Sequence, residues 1–137
     1  MNRWLTWLLR AQVSRLVDRS LVLLSVTGRR SGRVSTFPVQ YARHGDALWI
    51  YVGDGAEKTW WRNLTSRAPV QVLLRRAVHE GMAQAFRGRR RPQEVGEGLR
   101  DYRARYPREV RRVASEADVV MVRVDLRPDS PPAEATP

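Results

Sequence analysis

Cysteine is absent from the 137 residues, which excludes disulfides, a thiol nucleophile and thiolate-bound metals. Histidine is nearly absent: His44 and His79 sit in different segments without clustered carboxylates. That argues against a histidine-based zinc site and against a serine–histidine triad, and each histidine reads as a surface or strand residue. A long apolar run is missing too. The stretch from Arg3 to Val17 is apolar in part, but Arg10 and Arg15 interrupt it and Asp18 and Arg19 follow. It falls short of the roughly 20 apolar residues of a transmembrane helix and has no signal-peptide core with a small-residue cleavage site. The expected location is the cytoplasm. No metal is expected, and the chemistry has to come mostly from something bound.

What is present is arginine. The net charge is +11, the sequence pI lies near 11.4, and Lys58 is the only lysine among 25 basic residues. The guanidinium fork suits phosphate and carboxylate. An anionic partner is therefore expected, whether a phosphorylated cofactor, a nucleic acid or an anionic membrane surface; net charge does not choose among them. At 137 residues with 42% hydrophobic content, the chain suits one domain with a real core.

Periodicity orders the chain. Leu5, Leu9, Val13, Leu16 and Val17 fall at helical spacing over residues 1–19, an N-terminal helix. Leu21–Val26 is a strand-like apolar run, followed by the basic turn Thr27–Arg33 with its two glycines. Phe37, Val39 and Tyr41 alternate with Pro38, Gln40 and Ala42, and Ala47–Val52 is apolar throughout; the pair reads as a hairpin, with Pro38 at an edge or a bulge. Thr59–Ser66 suggests a short helix, and Val70–Leu74 with Val78–Phe86 a second hairpin around Arg75-Arg76. Pro92 opens a helix carrying Val95, Leu99, Tyr102 and Tyr106, and Pro107 restarts a shorter helical segment with Val110 and Val113. Val119–Val124 is the last strand, and the prolines of residues 127–137 indicate a disordered tail. Sequential antiparallel strands with helices at the margins, a mainly β (α+β) class, favour a small barrel over residues 20–126 rather than a parallel sheet.

The basic turn carries the most chemistry. Gly28 and Gly32 permit backbone geometry that a Cβ would block. Successive N–H groups there are expected to form an anion nest, closed by Arg29, Arg30 and Arg33. The glycine–lysine–serine/threonine ending of a P-loop is missing. By itself, an arginine-rich turn is more often simply solvated.

Leu23-Leu24-Ser25-Val26-Thr27-Gly28-Arg29-Arg30-Ser31-Gly32-Arg33, with Pro38 in the next strand, resembles the signature of the deazaflavin-dependent nitroreductase family. A second block follows in order: Gly55-Ala56-Glu57-Lys58, Trp60-Trp61-Arg62-Asn63-Leu64 and Ala68-Pro69-Val70. The resemblance covers roughly residues 21–106 and the closing strand. It implies a split β-barrel related to flavin mononucleotide-binding (FMN-binding) oxidases, and binding of coenzyme F420, an 8-hydroxy-5-deazaflavin, with FMN as the alternative. It implies further that Arg29, Arg30, Ser31, Gly32 and Arg33 hold the phosphate and oligoglutamate tail, with Thr36 and Pro38 nearby. Val52, Gly53 and Trp60 would border the deazaflavin ring. The activity implied is hydride transfer from the reduced coenzyme to a small acceptor: a quinone, a nitroaromatic or an enone.

The chain departs from the family pattern at Ser35, where many members are basic, and at Glu109 and Arg112, where aromatic substrate contacts are usual. Tyr106-Pro107 matches; Tyr102 and Tyr106 read first of all as core residues of their helix, with Tyr106 the secondary candidate for substrate contact and for proton donation and water the alternative donor. Trp60 and Trp61 are adjacent and cannot face one way on a helix; Trp61 is the expected core residue. Trp4 and Trp7 are expected to pack the N-terminal helix on the barrel, with contact to a membrane surface as the weaker reading. Two other functional classes compete: a non-catalytic coenzyme carrier, and a nucleic-acid binder suggested by the arginines of 87–91 and 100–112. The latter is disfavoured because Ala47–Val52 offers no aromatic platform.

Overall fold

The computed structural model describes residues 20–53, 58–110 and 115–128. The apolar runs form seven strands: β1 (Leu21–Thr27), β2 (Val34–Gln40), β3 (Ala42–His44), β4 (Ala47–Gly53), β5 (Ala68–Leu74), β6 (Ala77–Arg87) and β7 (Val120–Leu126). A 3-10 helix, Trp60–Leu64, connects β4 to β5, and helix α1 (Pro92–Arg105) lies between β6 and β7. The expected N-terminal helix lies outside the described residues. So do residues 129–137 of the expected tail, 127–137; its first residue, Arg127, is tied to Glu80 on β6 through its amide and its guanidinium.

The strands pair antiparallel in the order β2-β1-β5-β6-β7-β4-β3. The two edge strands, β2 and β3, are separated in the chain by Tyr41 alone. A flat sheet cannot place its opposite edges one residue apart, so the sheet curls until they meet and one bent segment serves both sides. That closure is the barrel. It corrects the expected hairpin: of the segment before it, β4 pairs with Ala42–His44 alone, its other side being taken by β7, whereas Val34–Gln40 runs along β1 across the basic turn. Pro38 sits opposite Leu23 on this edge strand, where its missing N–H breaks no ladder bond.

Period-two alternation sends Val22, Leu24 and Val26 of β1, Leu48, Ile50 and Val52 of β4, and Val120, Val122 and Val124 of β7 into the barrel. The outward residues of β4 and β7, Trp49 and Met121, pack with Phe86 under Val95, Leu99 and Tyr102 of α1. Close approach of the helix requires Gly98, since a Cβ there would lie 2.5 Å from the Trp49 ring. The helix ends at Tyr106, whose extended backbone precedes Pro107, because a residue before proline is pushed out of the helical region. Consequently Pro107–Val110 is a turn and not the expected helical segment; Val113 lies outside the described residues.

The β5–β6 hairpin turns on Arg75 and Arg76, both at positive φ (51° and 71°). Left-handed backbone costs a non-glycine residue about 1–2 kcal/mol, and tight hairpin turns of this kind favour Asn-Gly. Replacing Arg75 by Asn and Arg76 by Gly is expected to stabilise the protein by about 1 kcal/mol, measured by denaturant unfolding. A lower unfolding midpoint would contradict this account of the turn.

Candidate functional site

The basic turn closes on itself. Gly28 N donates to the Arg33 carbonyl at 2.8 Å, Gly32 N to the Gly28 carbonyl at 2.9 Å, and Arg33 N to Ser31 Oγ at 3.1 Å. The two glycines serve different ends. A Cβ on Gly28 would meet Ser31 Oγ at 2.6 Å, whereas Gly32 has open space and a φ of +71° that disfavours any side chain. These bonds correct the expected anion nest: the amides of Gly28, Gly32 and Arg33 are already engaged within the turn, and that of Arg29 is engaged elsewhere. The groups that the turn leaves facing outward are chiefly side chains. Arg29, Arg30 and Arg33 are exposed, and no carboxylate of the described residues lies within ion-pair distance of them.

Asn63 joins the two motifs. Its Oδ1 accepts from Arg29 N at 3.0 Å and from Arg29 Nη1 at 3.4 Å, while its Nδ2 donates to the Trp60 carbonyl at 3.1 Å. One amide side chain thus fixes the basic turn against the 3-10 helix, 34 residues away. An asparagine in a short helix is ordinarily a helix-terminal hydrogen-bonding residue. The bond to its own helix agrees, but the bridge was not legible, because a contact at this separation leaves no periodic signal.

The adjacent tryptophans diverge. Trp61 is 4% exposed, its Nε1 donates to the Lys58 carbonyl at 2.7 Å, and the guanidiniums of Arg62 and Arg87 lie 5.6 and 5.7 Å from the centre of its ring. Trp60 is half-buried, packed against the barrel core with its ring 5.0 Å from that of Phe37. The remaining expected site residues do not share one surface. Val52 is buried inside the barrel, and Gly53, at φ +90°, follows a bulge in the β4–β7 ladder. Thr36 and Pro38 alternate with the inward Phe37 and Val39 and so face outward; Thr36 Oγ1 shares a hydrogen bond with Ser25 Oγ. Residues 54–57, the start of the second motif, lie outside the described residues.

Tyr106 takes the core position expected of it first. It is 8% exposed, its ring stacks 4.8 Å from that of Tyr102, and its hydroxyl donates to the Tyr41 carbonyl at 2.5 Å. The candidate for substrate contact and proton donation is thus a packed residue that ties the end of α1 to the bend closing the barrel. Tyr102 does similar work, donating to Gln40 Oε1 at 3.0 Å. Burial foremost, then the neighbouring Tyr106, Glu109 and Tyr51, pushes its hydroxyl well above the usual tyrosine range, so it stays a donor.

Two hollows lie near these residues. One, about 1100 Å³, runs over the outer sheet face past Ser25, Val34, Gln71 and Met82. Its arginines are neutralised, Arg67 by Asp125 and Arg127 by Glu80. The other, about 510 Å³, opens beside the 3-10 helix between Arg29, Arg62, Arg87, Arg90 and Arg91, with Trp61 in its wall. Among the described residues, no group of histidine and acidic side chains is placed to hold a metal ion, and no helix is long and apolar enough to cross a membrane.

Comparison with known proteins adds to this geometry. The sequence model of the F420H(2)-dependent quinone reductase family matches residues 3–126. No curated protein matches the chain. Among solved structures, a domain-swapped dimer is similar at 20% identity over 87% of this chain and 98% of its own, with a TM-score of 0.62. An F420-H2-dependent reductase matches at 20% identity over 78% and 95%, TM-score 0.61. The heme storage protein HutZ from Vibrio cholerae matches at 12% over 87% and 90%, TM-score 0.60. At these identities the structural likeness establishes the fold.

Proposed function

Since the chain belongs to the F420H(2)-dependent quinone reductase family, we propose that the basic turn and the 3-10 helix together form its coenzyme site and that its acceptor is a small quinone-class molecule. The observation that carries this reading is the Asn63 bridge, which holds the exposed arginines of the turn beside the helix of the two tryptophans. The donor set suits the group. Arg29, Arg30 and Arg33 offer guanidiniums with no acidic partner among the described residues to a phosphate and its carboxylate tail. Ser31 and Gly32 shape the turn that presents them, and Thr36 and Pro38 extend the site along β2. The backbone at Gly53 and the accessible part of Trp60 border the ring, with Val52 supporting them from inside the barrel.

When bound, the reduced deazaflavin supplies a hydride. The protein supplies position. Neither the turn nor the described part of the helix segment, residues 28–33 and 58–64, contains His, Asp, Glu or Cys, and Tyr106 is occupied. In this reading water supplies the proton that completes reduction of the acceptor.

The test is titration of the purified protein with the deazaflavin coenzyme and with FMN, followed by cofactor fluorescence. Saturable binding of the coenzyme, tighter than that of FMN, together with quinone-dependent oxidation of its reduced form, is expected. Tighter FMN binding would overturn the cofactor assignment, and coenzyme binding without turnover would make the protein a carrier.

A further inference from the structure

The protein distributes its arginines unevenly. Arg43, Arg67, Arg89, Arg103, Arg123 and Arg127 each lie within 4 Å of a carboxylate. Around the 510 Å³ hollow, Arg29, Arg62, Arg87 and Arg90 have no such partner among the described residues and only Arg91 pairs, with Glu94 at 2.7 Å; exposed arginines elsewhere, such as Arg75, Arg76 and Arg100, lack one too, but here four of them gather around one cavity. Among the described residues, no acidic side chain lines the hollow. Like charges gathered without counterions repel, and folding alone does not favour such an arrangement.

The guanidiniums are also held in place. Arg62 and Arg87 rest against the buried Trp61 ring, which limits their rotamers without using their N–H donors. Arg87 and Arg90 flank a turn pinned by Gly88, whose N–H donates to the Val119 carbonyl at 2.9 Å and whose Cα leaves no room for a Cβ against the Glu116 carbonyl. Arg29 is fixed by Asn63. Prepositioned, unneutralised donors around a hollow describe a site for several anionic groups at once.

Arg29 belongs both to the basic turn and to this hollow. An anionic chain anchored at the turn therefore runs into the hollow without crossing neutral surface. Building on the coenzyme reading above, we propose that Arg62, Arg87 and Arg90 form a separate subsite for the distal glutamyl carboxylates of the tail, so that the protein discriminates coenzymes by tail length. A single-stranded nucleic acid fits less well, since its bases need exposed aromatic faces and Trp61 is buried beneath two guanidiniums.

The experiment compares equilibrium binding of a long-tailed coenzyme, a single-glutamate form and the tail-less deazaflavin, by fluorescence at low and high salt. Wild type is expected to bind the long-tailed form about tenfold or more tightly than the single-glutamate form, as one or two charge-assisted contacts would give. The preference should shrink at high salt and collapse in Arg87→Ala/Arg90→Ala, with affinity for the tail-less form unchanged. Because Arg87 supports Trp61, Arg90→Ala alone serves as the variant with an intact fold and should lose part of the preference. Equal binding of long and short tails by wild type, or a preference retained in both variants, overturns the subsite while leaving the coenzyme reading intact. Failure of wild type to bind any of the three forms overturns that reading and the subsite with it. Tighter binding of an oligonucleotide than of the long-tailed coenzyme would assign the hollow to nucleic acid instead.

Discussion

Trp61→Ala is expected to lose about 3–5 kcal/mol of folding stability, the usual range for a large aromatic removed from a packed site. The indole is 4% exposed, packs with the barrel core, and carries a hydrogen bond to the Lys58 carbonyl. Alanine leaves a cavity at the barrel mouth, a carbonyl without its donor, and two guanidiniums without their support. Calorimetry should show a Tm lower by roughly 10–20 °C in a domain of this size. Trp60→Ala should cost roughly half as much, because only part of its surface is buried; its main effect is expected on affinity for the deazaflavin ring, measured with the tail-less compound. Thermal melts and binding curves on both variants separate the roles. If Trp60→Ala merely destabilises while Trp61→Ala merely weakens binding, the assignment of faces is inverted; if ring affinity survives both substitutions, the ring sits elsewhere.

The double variant Arg29→Ala/Arg30→Ala is expected to weaken binding of the full coenzyme by up to several kcal/mol at low ionic strength, since charge-assisted bonds contribute about 1.5–3 kcal/mol each. The fold of the turn should survive. What ties it to the 3-10 helix is chiefly the Arg29 backbone amide on Asn63 Oδ1, at 3.0 Å, against 3.4 Å for the guanidinium, and alanine keeps that amide. Both side chains are exposed, so the loss should diminish as salt screens them, with a Debye length near 10 Å at about 0.1 M. Titrations at two ionic strengths, with an unchanged thermal melt as control, make the measurement. Full affinity in the folded variant would remove both residues from the site.

The amino-acid sequence by itself determined the local character of nearly every described element. Strands β1 and β4 were legible as apolar runs, β5 and β6 as runs on either side of Arg75-Arg76 and β7 as the closing run, and the β2 segment by alternation, because a strand buried on one face repeats every second residue. The helix from Pro92 was legible because Val95, Leu99 and Tyr102 repeat at its pitch. The two signature blocks carried the family, and the adjacency of Trp60 and Trp61 alone required them to part. Pairing was another matter. The partner of β2 is decided by which neighbour the curled sheet brings alongside, and no residue of Val34–Gln40 states whether that is β1 or β4. The bond from the Tyr106 hydroxyl to the Tyr41 carbonyl, the bridge made by Asn63, and the gathering of Arg29, Arg62, Arg87 and Arg90 around one hollow are likewise contacts between segments tens of residues apart. Such contacts depend on where the closed barrel places each element, and only the tertiary structure could decide them.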